Sequence, residues 1–149
     1  MKYMCLVYHD EDKLDAMSPA ELEAVFTDCG AWLDELQKSG RYVLSAGLQT
    51  IRMATSLRSR NGSLTVTDGP FAETKEILGG FTLIEARDLN EAIQIASTLP
   101  VVRFGTIEVR PVLESGMELA DPLDRKLVSA MCASAVDVTR SPQTGERCL

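Results

Sequence analysis

Asp68-Gly69-Pro70-Phe71-Ala72-Glu73-Thr74-Lys75-Glu76 puts three carboxylates, a lysine and an aromatic ring within nine residues. The segment lies between the alternating run Leu64-Thr65-Val66-Thr67 and the apolar run that opens at Gly79-Gly80-Phe81. A carboxylate held at a strand end and open to a pocket can accept a proton, so Asp68 is the first candidate catalytic group. Phe71 and Glu73, from the same loop, are candidate ligand contacts. Asp68 also suits a purely architectural role, bonding the amides beside Pro70 in an Asx-type turn. The second acid–base candidate is His9, the single imidazole of the chain, directly after an apolar run. An imidazole at a strand end is well placed to act as an acid or base. Asp10, Glu11 and Asp12 follow it and either orient it or form a solvated charge run. Arg103 could grip a substrate carboxylate through a bidentate pair, and Arg52 and Arg58 offer the same chemistry from a hairpin strand.

Other chemistries find no support. One histidine and four dispersed cysteines supply no zinc pattern, so no metal is expected. There is no phosphate-binding Walker loop, dinucleotide glycine fingerprint or nucleophile elbow, so no cofactor is expected either. The 22 acids outnumber the 15 bases, for a formal charge of −7. That balance argues against nucleic acid as a direct partner, since such binding needs clustered lysine and arginine. No apolar run reaches the roughly 20 residues of a membrane span. The first ten residues have no small-residue cleavage site and are not expected to be a signal peptide. Cys5 and Cys29 fall on apolar faces and are expected to be reduced core thiols, with Cys148 an exposed tail thiol. The expected compartment is the cytoplasm.

Several elements must position these groups. Residues 3–8 are nearly all apolar, as in a strand covered on both faces, and residues 10–15 read as a charged loop. Ser18-Pro19-Ala20-Glu21 is a capping box with proline at the first helical position. Leu22, Val25, Phe26, Cys29, Leu33 and Leu36 follow as one apolar stripe, so residues 18–39 should be a helix ending near Gly40. Strands are expected over 42–48, 50–59 and 63–67, the last two joined by Asn61-Gly62, a strong hairpin signal. Another is expected over 79–86. Asp88 starts a second helix, with Leu89, Ala92, Ile93, Ala96 and Leu99 as its buried face and Pro100 as its stop. A final strand covers 104–110. Leu119, Leu123, Leu127 and Met131 suggest a further helix within 117–135, either interrupted or begun by Asp121-Pro122. Residues 138–149 read as a frayed terminus.

The nine-residue loop, Gly79-Gly80-Phe81, Gly105-Thr106-Ile107-Glu108-Val109-Arg110-Pro111, the opening Met1-Lys2-Tyr3-Met4 and Gly47-Leu48 together resemble the DGPF branch of the YCII-related family. The resemblance implies a YCII-related domain over 1–114, followed by a C-terminal extension over 115–149. It implies an α+β, ferredoxin-like subunit of the dimeric α/β-barrel type: an antiparallel sheet with two helices on one face and an inserted hairpin. A homodimer follows from that type and from the open sheet face, which a second copy would cover. Some relatives resemble an acid–base design with a histidine near the start of the first long helix. In this chain Glu21 stands there. The function implied is a pocket for a small molecule, with cofactor-independent proton transfer of isomerase or lyase type on a small carbonyl or lactone compound. The alternative implied is a noncatalytic ligand-binding or regulatory module linked to extracytoplasmic-function sigma factors.

Overall fold

The computed structural model describes residues 1–114 and 119–133. By backbone proximity the chain divides into one unit over Met1–Pro111 and another over Val112–Leu149.

In the first unit, strand β1 (Lys2–His9) is followed by a short helix α1 (Glu11–Asp15) and the long helix α2 (Pro19–Lys38). Then come β2 (Tyr42–Gly47), the hairpin β3 (Thr55–Arg60) and β4 (Ser63–Asp68), β5 (Ile77–Glu85), helix α3 (Leu89–Ser97) and β6 (Thr106–Pro111). A four-stranded antiparallel sheet has the order β2-β5-β1-β6, and the hairpin is a separate two-stranded sheet. This corrects the expected dimeric α/β-barrel type. β2 and β6 are the two edges of the sheet and do not meet, so the sheet is open rather than closed into a barrel. The architecture is an α+β sheet with its helices on one face.

Local chemistry explains the helices. Ser18 accepts from the Glu21 amide while Glu21 accepts from the Ser18 amide at 2.8 Å, so the capping box is closed in both directions. Asp88 caps α3 by accepting from the Glu91 amide at 2.9 Å. Residues 10–15 are not a loop: Asp10 is buried and caps α1 by accepting from the Asp12 amide at 3.1 Å. The 50–59 strand also starts late, because Ile51–Met53 forms a 3₁₀ turn capped by Thr50.

One face of the sheet carries the core. Tyr3, Cys5 and Ile84 pack against Trp32 and Leu36 of α2 and against Ala92, Ile95 and Ala96 of α3. Trp32 also donates through its indole Nε1 to the Thr98 hydroxyl at 2.8 Å, tying the two helices together. Burial pushes the Cys5 thiol up to about 11, which keeps it an inert thiol near neutral pH. β1 is covered on this face only, since Met4, Leu6 and Tyr8 stay half-buried on the other. The helical stripes also differ from expectation. Phe26, Leu89 and Ile93 are exposed, while Trp32 and Ile95 are buried. Both helices carry apolar residues on more than one face, and the helix axis relative to the sheet decides which face is covered.

Glu91 is the one carboxylate of α3 that the fold buries. It accepts from the Arg87 amide at 2.7 Å and Nε at 3.1 Å, and from Arg41 at 2.6 Å. The Arg87 amide leads in holding its carboxyl below the ordinary value; partial burial opposes this, and the two guanidinium groups reinforce it. A lowered folded value means this cluster stabilises fully above the ordinary carboxylate value of 4.5 and stops doing so as pH falls through the folded one. Thermal melts should therefore show a steeper acid-side decline for the wild type than for Glu91→Gln. Equal slopes in the two proteins would contradict the assignment.

In the second unit, α4 (Pro122–Ala133) begins at Asp121-Pro122, whose carboxylate accepts from the Leu123 amide at 2.7 Å. The expected frayed segment 138–149 and Cys148 lie outside the described residues.

Candidate functional site

At one end of the main sheet, β1 finishes at His9 and β5 begins at Ile77, its register partner. The register between them shifts beside Val7 and Tyr8, so Gly79 is an extra residue on β5. The shift makes room for an imidazole. A Cβ on Gly79 would fall 1.9 Å from Cε1 and 2.3 Å from Nδ1 of His9. The His9 ring thus occupies the space that a side chain at position 79 would take, and Gly80 is needed because a Cβ there would fall 2.8 Å from the Ala46 carbonyl oxygen. His9 is half-buried, and its side chain makes no hydrogen bond or ion pair among the described residues.

The neighbouring groups are committed elsewhere. Asp10 caps α1, and Glu11 accepts from the Ile51 amide at 3.4 Å. Glu76 accepts from the Thr106 hydroxyl at 2.7 Å, joining the start of β5 to the start of β6. The run after His9 is therefore structural in part, and it does not bond the imidazole.

The hairpin positions the remaining candidates. Asn61 (φ 52) and Gly62 (φ 78) make the tight turn, with Thr55 opposite Asp68, Leu57 opposite Val66 and Arg58 opposite Thr65. Asp68 ends β4 on the face shared with Leu57 and Val66. Its carboxylate is exposed and makes no hydrogen bond among the described residues, so the expected Asx-type turn does not form. The turn is held otherwise. Gly69, at φ 95, donates to the Ala54 carbonyl at 2.7 Å and accepts from the Ser56 hydroxyl at 2.7 Å. Arg58 then donates to the Phe71 carbonyl at 2.9 Å, fixing the loop against the opposite face of the hairpin. Phe71 is 79% exposed, and Glu73 is exposed as well.

The structure thus brings Phe71 to Arg58, keeps Asp68 on the other hairpin face, and joins neither Asp68 nor Glu73 to His9 by any hydrogen bond or ion pair. Arg103 pairs with Asp28 of α2 at 3.1 Å, which gives it a structural partner. Sequence reasoning passes over Arg60. With Arg58, Ser56, Thr65 and Thr67 it lines a groove of about 340 Å³ that Phe71 borders. The signal is present as an i, i+2 arginine pair before Asn61-Gly62, because such a pair must share one strand face. A larger hollow of about 580 Å³ lies at the other end of β1, beside Met1, Arg41 and Arg87, and surrounds the Glu91 cluster already described. Among the described residues no three histidine, cysteine, aspartate or glutamate side chains are arranged to hold a metal ion, and no helix is long and apolar enough to cross a membrane.

An uncharacterized protein of Rhizobium meliloti is 40% identical over 114 residues, which cover 75% of this chain and 92% of that one. Among solved structures, the chain is similar to 5-chloro-2-hydroxyhydroquinone dehydrochlorinase from Burkholderia phenoliruptrix, in complex with 2,5-dihydroxybenzoquinone. The TM-score there is 0.46 and the identity 13%, over 75% of this chain and 93% of that one. The YCII-related domain matches residues 1–115, and those residues hold the whole main sheet, both helices packed on it and the hairpin. With that match and the Rhizobium relative, the chain belongs to the YCII-related family.

Proposed function

We propose that this protein belongs to the DGPF branch of its family, binds a small carbonyl or lactone compound and moves a proton on it without a cofactor. The step is of isomerase or lyase type, and His9 is its acid–base group. One observation carries the reading: the only imidazole of the chain is held on Gly79 at a strand end, with no partner among the described residues to occupy its nitrogens. An imidazole whose nitrogens are unengaged suits proton exchange. Because there is one histidine, its ring resonances in a proton–nitrogen correlation spectrum are unambiguous. Small ketones, aldehydes and lactones that enter the site should shift them. A panel that shifts none of them would contradict the reading.

Asp68 is the second acid–base candidate. Its carboxylate is exposed and without a hydrogen bond among the described residues, so Asp68→Asn should leave the melting temperature unchanged. Any fall in turnover in that variant would report chemistry alone, and unchanged turnover would remove Asp68 from the mechanism. The cytoplasm remains the proposed compartment, a reading supported by the free thiols Cys5 and Cys29 in and against the core.

The working assembly in this reading is a homodimer. Its support is the sheet face turned away from the helices, where Leu6 lies opposite Phe81 and Met4 opposite Leu83, all half-buried in one copy, with Leu44 exposed beside them. A second copy on this face would need to bury roughly 1,000 Å² in total for a stable pair. Leu6→Lys removes apolar area at the centre of the face, and the new ammonium lies opposite Glu108 on β6, so the single chain should stay folded. Light scattering should then report a dimer for the wild type and a monomer for Leu6→Lys. A wild-type monomer, or a variant dimer of unchanged affinity, would contradict this assembly.

A further inference from the structure

We propose that the groove on the β3–β4 hairpin is a binding site for a small aromatic carboxylate, separate in its chemistry from the acid–base role of His9. The groove is built on one face of the hairpin, where Ser56 faces Thr67 and Arg58 faces Thr65. Arg58 and Arg60 are two residues apart on β3, so their Cα atoms are about 6.6 Å apart and their side chains leave the same face. The Arg60 side chain makes no hydrogen bond or ion pair among the described residues. Arg58 spends one donor on the Phe71 carbonyl and keeps the rest of its guanidinium fork.

Three features select the ligand. The first is charge. The chain carries −7 overall, yet two arginines and no carboxylate line this groove. A small anion is attracted to two arginines with no carboxylate among the lining residues, and the planar fork of arginine matches a carboxylate through paired hydrogen bonds. The second is the ring. Phe71 is 79% exposed at the border, and the Arg58 bond to its carbonyl fixes its backbone there. An exposed aromatic face beside a cationic floor favours a flat ring that carries an anionic group over a bare anion. The third is size. A groove of about 340 Å³ is at the small end of ligand sites and accommodates a single-ring compound.

Titration of the full chain with benzoate, cyclohexanecarboxylate and inorganic phosphate, followed by amide proton–nitrogen spectra, tests the proposal. Benzoate should shift amides of residues 56–60, 65–69 and 71 saturably, and bind more tightly than either competitor. Arg60→Gln should weaken benzoate about tenfold or more, the size expected when charge-assisted hydrogen bonds are lost. Arg60 is the residue to change because Arg58 also holds the loop. Phe71→Ala should bring benzoate down to the affinity of cyclohexanecarboxylate. His9→Asn should bind benzoate as the wild type does, so failure of the acid–base reading would leave this site standing. Absence of saturable shifts, unchanged binding in Arg60→Gln, or phosphate binding as tightly as benzoate would each overturn the proposal.

Discussion

Gly79→Ala is expected to cut turnover by His9 about 100-fold or more while leaving a folded protein. The new Cβ falls 1.9 Å from His9 Cε1, far inside contact distance, so something must move. The obstacle is the end of a side chain, and rotation of His9 about its own bonds relieves the clash without shifting β1 or β5. Alanine otherwise suits an extended strand better than glycine, because glycine loses more freedom on folding. The net stability cost should be about 1 kcal/mol. On the proposed acid–base reading the functional cost is larger, since the imidazole leaves its place beside position 79, and a lost acid–base group removes about 100-fold or more in rate. A double-mutant cycle checks the cause. With His9→Ala already in place, Gly79→Ala should no longer lower the melting temperature, because the space is then empty. The same loss in both backgrounds would show that the imidazole is not what Gly79 accommodates.

Gly105→Ala should instead damage the fold. Its Cβ would fall 2.3 Å from the carbonyl oxygen of Tyr8 and 3.2 Å from Val101 Cγ1. The first obstacle is backbone, in the strand that pairs Tyr8 with Thr106 at the start of β6. No rotamer relieves that contact, so the start of β6 must move off β1. The expected loss is about 3 kcal/mol in denaturant unfolding, at the upper end for overpacking. Adding Val101→Ala removes the softer contact and should not restore stability. A Gly105→Ala protein as stable as the wild type would contradict the packing described here. The two glycines thus separate function from stability: similar clashes, one with a side chain and one with the main chain.

What the residues alone reveal is local. The capping box Ser18-Pro19-Ala20-Glu21, the Asp88 cap and the Asn61-Gly62 turn each depend on neighbours within four residues, and each forms as the residue types require. Helix α1 is hard to read because it has only five residues, and its Asp10 cap is hidden in an acidic run. Spacing places Phe26, Leu89 and Ile93 in the core, but spacing cannot say how far a helix rolls on a sheet. The expected dimeric α/β-barrel type comes from resemblance and not from any residue pattern, and the open edges β2 and β6 correct it. The site is legible only in pieces. Asp68 and His9 can be named from their types, but the glycine under the imidazole lies 70 positions along the chain from it. The arginine groove likewise needs the hairpin register to bring Arg58 opposite Thr65, and a long-range bond to bring Phe71 beside it.

The central claim is that His9 moves a proton, and hydrogen–deuterium exchange tests it whatever the physiological substrate. The full chain would be incubated in deuterium oxide with small ketones, aldehydes and lactones, and the protons next to each carbonyl followed by NMR. The account predicts protein-dependent exchange into at least one of these classes, slowed about 100-fold or more in His9→Asn, which keeps a polar side chain but has no useful base. A ligand that binds without such exchange would leave a noncatalytic binding module. Exchange that never depends on the protein, or that proceeds equally fast in His9→Asn, would contradict the account.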